Sequence, residues 1–298
     1  MQIFVTGASG FIGSAVVPEL LRAGHQVTGL ARSDASAAAL TAAGAEVLRG
    51  DLTDLDSLRS GAAASDGVVH LAYNHDFSQM GVAAQTDRAA LEAIGEALAG
   101  TDRPLVFASG VIGTTPGRTA TELDSPPSGL HPRIATARAA LSLASRGVRV
   151  VSVRFAPTVH GEDDHGFMHV LIDIARRKGV SAYVGDGENR WPAVHRLDAA
   201  ILVRLALETG EAGTSLHAVA EEGVRIRAVA DVIGRSLDLP VASVPAEEAS
   251  EHFGWMGMFI GADSPVSSVL TRERTGWQPT HPGLIEDLDQ GHYFREIT

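Results

Sequence analysis

Cysteine is absent from all 298 residues, which excludes a disulfide framework and any thiolate metal site. Lysine occurs once, at Lys178, and tyrosine three times, at Tyr73, Tyr183 and Tyr293. No tyrosine has a lysine four residues further on, where Phe77, Gly187 and Ile297 stand instead. No apolar run approaches the roughly 20 residues that a membrane helix needs. No basic leader with an apolar centre precedes the first apolar run, so a cytoplasmic protein is expected, with no membrane role. Cations are outnumbered by anions, and the formal charge of −12 would repel nucleic acid and anionic lipid alike. A small-molecule ligand is the remaining expectation. The length is enough to bury a full core in one large unit or two joined lobes.

Glycine, by contrast, is abundant, and three of the 32 stand in the string Thr6-Gly7-Ala8-Ser9-Gly10-Phe11-Ile12-Gly13. Residues 2–5 before it read as a short buried strand. Ser14 onward reads as a helix, with Val16, Val17, Leu20 and Leu21 on one side. Glycines at a strand-to-helix switch have separate uses: Gly7 permits the tight turn, Gly10 lets backbone amides approach a pyrophosphate, and Gly13 lets helix and strand pack closely. The turn is therefore expected to bind a dinucleotide through Gly7, Ser9, Gly10, Phe11, Ile12 and Gly13.

Short apolar segments at 2–5, 26–31, 45–48, 67–71, 104–109 and 149–154 alternate with alanine-rich helical stretches. Strands apolar on both sides belong to a sheet covered by helices on both faces. With right-handed crossovers, they predict a doubly wound parallel α/β sheet in Rossmann order. Beyond Phe155 the regularity loosens, as Pro157, Gly161, Gly166, Gly185, Gly187 and Pro240 punctuate shorter elements. A smaller C-terminal lobe for the substrate is expected there.

The glycine string resembles the opening of the short-chain dehydrogenase/reductase superfamily, in its extended branch of nucleotide-sugar epimerases and dehydratases. Gly50-Asp51-Leu52-Thr53-Asp54, Val69-His70-Leu71-Ala72, Arg154 with Val159-His160-Gly161, Trp191-Pro192-Ala193-Val194-His195-Arg196-Leu197-Asp198 and Thr275-Gly276-Trp277-Gln278-Pro279 carry the likeness along most of the chain. The resemblance implies interleaved lobes, with residues 1–155 forming the dinucleotide-binding one. Residues 196–208 would return to it as a helix, and the rest of 156–298 would be mainly substrate-binding. It implies that Asp51 and Leu52 meet the adenine, that Leu71 and Ala72 lie under the nicotinamide ribose, and that Asp198 locks a helix. It also implies pairing of two copies through cofactor-lobe helices, for which the alanine-rich segment 83–98 is a candidate.

The superfamily's Tyr-x-x-x-Lys pair is missing, so the branch is atypical. Matching on Pro132 and Thr136 puts Arg133 in the tyrosine's place and Ala137 in the lysine's. Arginine stays protonated, with a pKa above about 12, so Arg133 can hold a carboxylate, a phosphate or a developing oxyanion but cannot shuttle protons. Ser109, closing the fifth strand, resembles the family's residue that hydrogen-bonds the reacting oxygen. After the fourth strand, Tyr73-Asn74-His75-Asp76-Phe77 is dense in donors, and Tyr73 or His75 could supply a proton. Asn74 or Asp76 could equally cap the following helix. Arg32 and Ser33 follow the second strand, where an NAD site usually places a carboxylate. The guanidinium would favour the 2′-phosphate of NADP. NAD stays possible if Asp34 turns inward. His165 and His169 stand four apart, but without the zincin pattern no metal is expected. The leading expectation is an NADP(H)-dependent oxidoreductase acting on a small C=O, C=N or activated C=C group. A redox-neutral epimerase or dehydratase and a non-catalytic NADP(H) sensor are the alternatives.

Overall fold

Along Gln2–Thr6 (β1), Ile3 and Val5 point into one helical layer and Phe4 into the other, all three without solvent exposure. This double burial is what an apolar strand without polar alternation requires. The computed structural model describes residues 1–74, 79–111, 117–125 and 131–295. After β1 follow α1 (Gly13–Arg22), β2 (Gln26–Ala31), α2 (Asp34–Ala42), β3 (Glu46–Arg49), α3 (Leu55–Ala63), β4 (Gly67–His70), α4 (Met80–Leu98), β5 (Pro104–Gly110), α5 (Pro132–Leu141) and β6 (Arg149–Phe155). The chain continues through β7 (Thr158–His160), α6 (Phe167–Lys178), β8 (Ser181–Val184), β9 (Arg190–His195), α7 (Arg196–Thr209), β10 (Thr214–Ala218), β11 (Glu221–Arg225), α8 (Ile226–Leu237), β12 (Val241–Val244), α9 (Ala249–Phe253), α10 (Val269–Thr275) and α11 (Leu284–Asp289).

Seven parallel strands form the central sheet in the order β3-β2-β1-β4-β5-β6-β10, so the fold is the doubly wound Rossmann-type α/β sheet. The winding reverses between β1 and β4, and at such a switch point the strand ends leave a crevice for ligands. One face is covered by α1, α2 and α7, the other by α3, α4 and α5. Each large apolar side chain sealed in these layers contributes roughly 1.5–3 kcal/mol relative to exposure. Helix starts are set locally: Ser33 caps α2, Asp54 caps α3, and Pro132 opens α5, where a missing amide hydrogen costs nothing.

One feature exceeds the sequence reading. The seventh strand, β10, joins β6 in register from Thr214↔Val151 to Ala218↔Phe155. Its Thr-Ser-Leu-His-Ala sequence lacks the continuous apolar run by which the other strands are legible, because it lies at the sheet edge. The helix expected over 196–208 is α7, and it packs on the central sheet through Ala199, Leu202, Val203, Ala206 and Leu207. The remaining strands make a three-stranded sheet, β11-β9-β7, and the pair β12-β8. These enclose a separate core around Met168, Ile172, Trp191, Ile233, Met256 and Leu288. The inward residues of segment 83–98, including Ala83, Ala90, Leu91, Ile94 and Leu98, are buried where α4 lies between α3 and α5.

Candidate functional site

Gly7 lies at φ 68°, the left-handed region, and a Cβ there would meet the Ala72 amide nitrogen at 2.6 Å. The turn therefore presses directly on the segment leaving β4. A Cβ on Gly13 would lie 2.1 Å from the Gly7 carbonyl oxygen, so this glycine serves the close packing of α1 on the turn. Gly10 differs, since a Cβ there would approach only the Gly7 oxygen, at 3.3 Å. Its other side is open, which fits the approach of a diphosphate to the backbone. Among the described residues no side chain caps α1, whose N-cap is Ile12, and the Ser14 and Ala15 amides donate to the Gly10 and Ile12 carbonyls at 2.8 and 3.1 Å. Ser9 is exposed beside Gly10. Phe11 lies between the His165 ring, 5.7 Å away edge-on, and the Arg196 guanidinium, 5.2 Å from its centre. The residues present thus fit a dinucleotide phosphate group.

Just past the end of β2, Arg32 is exposed. The Ser33 hydroxyl accepts the Ser36 amide at 3.2 Å, so it is committed to capping α2. Asp34 pairs with Arg49 at the end of β3. Its carboxylate is therefore turned toward a neighbouring strand's cation. Asp51 accepts from the Thr53 hydroxyl and amide, both at 2.6 Å. The Thr53 hydroxyl, then its amide, hold the Asp51 carboxyl below the usual range, and the Arg32 charge adds to this. Leu52 packs against the core under α3 and α4.

The Leu71 amide donates to the Thr6 carbonyl at 3.1 Å and the Ala72 amide to Thr6 Oγ1 at 3.3 Å, fixing the path beyond β4. Tyr73 follows, half-buried, and the Arg133 guanidinium lies 3.8 Å from the centre of its ring. Arg133, in the first turn of α5, donates from Nη2 to the Ala108 carbonyl at 2.9 Å, one residue before Ser109. The structure thus brings Tyr73, Arg133 and the Ala108-Ser109 end of β5 together. His75 lies outside the described residues. Ala137, by contrast, packs against the core on the α3–α5 face.

Two residues of this end escaped sequence reasoning. Asp87 is 2% exposed, with Oδ1 accepting from His70 Nε2 at 3.1 Å and Oδ2 3.7 Å from Arg133 Nε. His70 in turn meets Thr6 Oγ1 at 2.9 Å through Nδ1. The signal was available: Asp87 interrupts the stripe Ala83, Ala84, Ala90, Leu91, Ile94 on α4, and His70 ends an otherwise apolar strand. A charge on a buried stripe requires a partner. Burial raises the Tyr73 phenol, against the pull of Arg133 and with a push from Asp87. Burial lowers the Arg133 guanidinium, which Asp87 opposes.

The later histidines serve packing. His160 is fully buried and donates from Nδ1 to Asp287 at 2.9 Å, joining β7 to α11. His195 accepts the Leu197 amide at the head of α7 and stacks on His281 with 5.0 Å between ring centres. Asp198 accepts from the amides of Thr280 and His281, both at 3.0 Å, and from His281 Nδ1 at 2.7 Å. Trp277 Nε1 donates to the Asp198 carbonyl at 2.9 Å, so the Thr275–Pro279 string is tied to α7. His165 precedes α6, and His169 faces Asp173 at 3.4 Å.

A glycine turn at the switch point of a doubly wound sheet, with a helix start that no side chain caps behind it, defines a dinucleotide-binding fold of the Rossmann class. The family model described as NAD dependent epimerase/dehydratase family matches residues 3–219. The chain belongs to that family, as an atypical extended member of the short-chain dehydrogenase/reductase superfamily. It is similar to an uncharacterized protein of Schizosaccharomyces pombe, 51% identical over 295 residues, covering 99% of this chain and 100% of that one. An uncharacterized protein of Saccharomyces cerevisiae is 45% identical, covering 97% and 98%. Among solved structures, a dTDP-glucose 4,6-dehydratase from Streptomyces venezuelae with NAD bound superposes with a TM-score of 0.78. It is 21% identical and covers 100% of this chain and 98% of that one, a likeness of fold. No helix among the described residues is long and apolar enough to cross a membrane.

Proposed function

We propose that the protein is an NADP(H)-dependent oxidoreductase that moves hydride to a small C=O, C=N or activated C=C group. The observation that carries this reading is the Arg133 guanidinium 3.8 Å from the centre of the Tyr73 ring, just beyond the end of β4 at the sheet's switch point. The nicotinamide would supply the hydride when bound. Gly7, Gly10 and Gly13 would hold its diphosphate, and Leu71 and Ala72 would line the ribose next to it. Arg133 and Ser109 would polarise the acceptor, since a fixed cation and a hydroxyl stabilise charge developing on oxygen. Tyr73 would deliver the proton.

NADP is favoured over NAD by Arg32, exposed at the end of β2, together with the engagement of Asp34 by Arg49. A guanidinium recognises a phosphate through charge-assisted bonds, whereas ribose hydroxyls call for a carboxylate.

The test is binding followed by turnover. Fluorescence titration should give tighter binding of NADPH than of NADH, and stopped-flow oxidation of NADPH over a panel of aldehydes, ketones, imines and enones should give at least one turning-over substrate. Equal affinities would remove the Arg32 argument. Purified protein that retains its nicotinamide and consumes none would favour the redox-neutral chemistry associated with the family's name. Binding with no turnover across both kinds of substrate would favour a sensor.

A further inference from the structure

Asp87 is a carboxylate sealed inside the helical layer, at a position whose neighbours on the stripe are alanine, leucine and isoleucine. Taking such a charge out of water costs several kcal/mol unless partners repay it. One oxygen is repaid by His70, whose Nε2 must carry the proton to donate to it, leaving Nδ1 to accept from the Thr6 hydroxyl. The second oxygen faces Arg133. Arg133 does not depend on Asp87 for its place, because the Ala108 carbonyl and the Tyr73 ring hold it on two other sides.

We propose that Tyr73, Arg133 and Asp87 act as one unit, in which Tyr73 is the proton donor and the two buried charges, with opposite sign, set how readily it releases its proton. The donor role of Tyr73 and the identity of the acceptor rest on the oxidoreductase reading; the charge coupling of the three residues does not. In the step, the Tyr73 O–H bond breaks and its proton goes to the acceptor's oxygen or nitrogen, or to the α-carbon of an enone. The acceptor's π electrons form that new bond as the adjacent carbon, the β-carbon of an enone, takes up the hydride that a reduced nicotinamide would supply. Tyr73 is left as a phenolate facing the Arg133 cation and recovers a proton from water. Among the described residues, the charged groups acting on Tyr73 include Arg133 from α5 and Asp87 from α4, with His70 from β4 behind Asp87. His131 at the head of α5 lies under the influence of Arg133, and His75 and Asp76 lie outside the described residues.

The experiment is a pH titration of ring-labelled tyrosine by NMR at Cζ, on the full chain without cofactor, with the Tyr73 signal assigned by Tyr73→Phe. Asp87→Asn should lower the Tyr73 midpoint by about one pH unit, Arg133→Met should raise it by about one unit, and the double variant should fall between. Arg133→Lys, which keeps the charge, should stay near the parent. It carries the comparison with Arg133→Met if Asp87→Asn does not fold. Coincident midpoints, or the reverse order, overturn the proposal, as does Tyr73→Phe turning over at the parent rate. A purely structural Asp87 would change the melting temperature and leave the phenol where it was. If the order holds while no substrate consumes NADPH, the oxidoreductase reading fails, the donor role falls with it, and the charge coupling stands. If NADPH is consumed while the midpoints coincide, the unit fails and the reading stands.

Discussion

Gly10 and Gly13 are three residues apart in one turn, yet the same added methyl group should have opposite consequences at the two. In Gly13→Ala the new carbon would sit 2.1 Å from the Gly7 carbonyl oxygen, 2.7 Å from the Ala8 oxygen and 2.8 Å from the Ala8 carbonyl carbon. All three are backbone atoms, well inside ordinary contact, so α1 must retreat from β1. Overpacking of this kind costs about 1–3 kcal/mol, which for a chain of this size lowers the melting temperature by about 2–5 °C. In Gly10→Ala the one contact is the Gly7 oxygen at 3.3 Å, which calls for an adjustment of a few tenths of an ångström at most. The melting temperature should stay within about 2 °C of the parent. The methyl would stand on the open side, where the diphosphate must approach. Losing two charge-assisted backbone bonds at roughly 1.5 kcal/mol each weakens NADPH binding by about 100-fold. Thermal melts and fluorescence titration on the two variants decide the matter. Parent-like binding by Gly10→Ala, or parent-like melting by Gly13→Ala, would refute the division of labour argued for these glycines.

Arg32→Asp should weaken NADPH binding by about 10- to 100-fold while moving NADH by no more than about threefold, read as two dissociation constants per protein. Burial, then the neighbouring His160, lowers His195 to about 4. The unfolded chain therefore binds a proton that the native chain refuses between about pH 6.5 and 4. Stability is whole above that window and is lost as pH falls through it, by up to about 3 kcal/mol. His195→Asn keeps an acceptor for the Leu197 amide, and its urea midpoints should fall less steeply over that window; parallel curves would refute the assignment. Asp198→Ala removes the acceptor of three hydrogen bonds around Thr280 and His281 and should cost about 3 kcal/mol in urea unfolding. A variant as stable as the parent would show that the α7 lock carries no load.

Much of the cofactor end was legible because it is local. Gly7, Gly10 and Gly13 act within one turn, and Ile3, Phe4 and Val5 declare a strand buried on both faces in consecutive letters. The helix over 196–208 was expected from the family resemblance rather than from local signals. That Ser33 caps α2 is a local matter the reading passed over, whereas the turn of Asp34 toward Arg49 depends on where β3 lies. Ser109, Tyr73 and Arg133 were each recognised singly. Nothing in their spacing of 36 and 24 residues says that one guanidinium would reach both a carbonyl of β5 and the face of the phenol.

The chain alone determined the sheet's alternation with helices, the glycine turn and the absence of any Tyr-x-x-x-Lys pair, because φ/ψ preference and apolar period are written over stretches of a few residues. Tertiary structure decided that β10 would close the sheet beside β6, and that Asp87 of α4, His70 of β4, Arg133 of α5 and Tyr73 would meet. Those contacts join segments tens of residues apart, and their partners are chosen by how layers pack and how buried charges are neutralised.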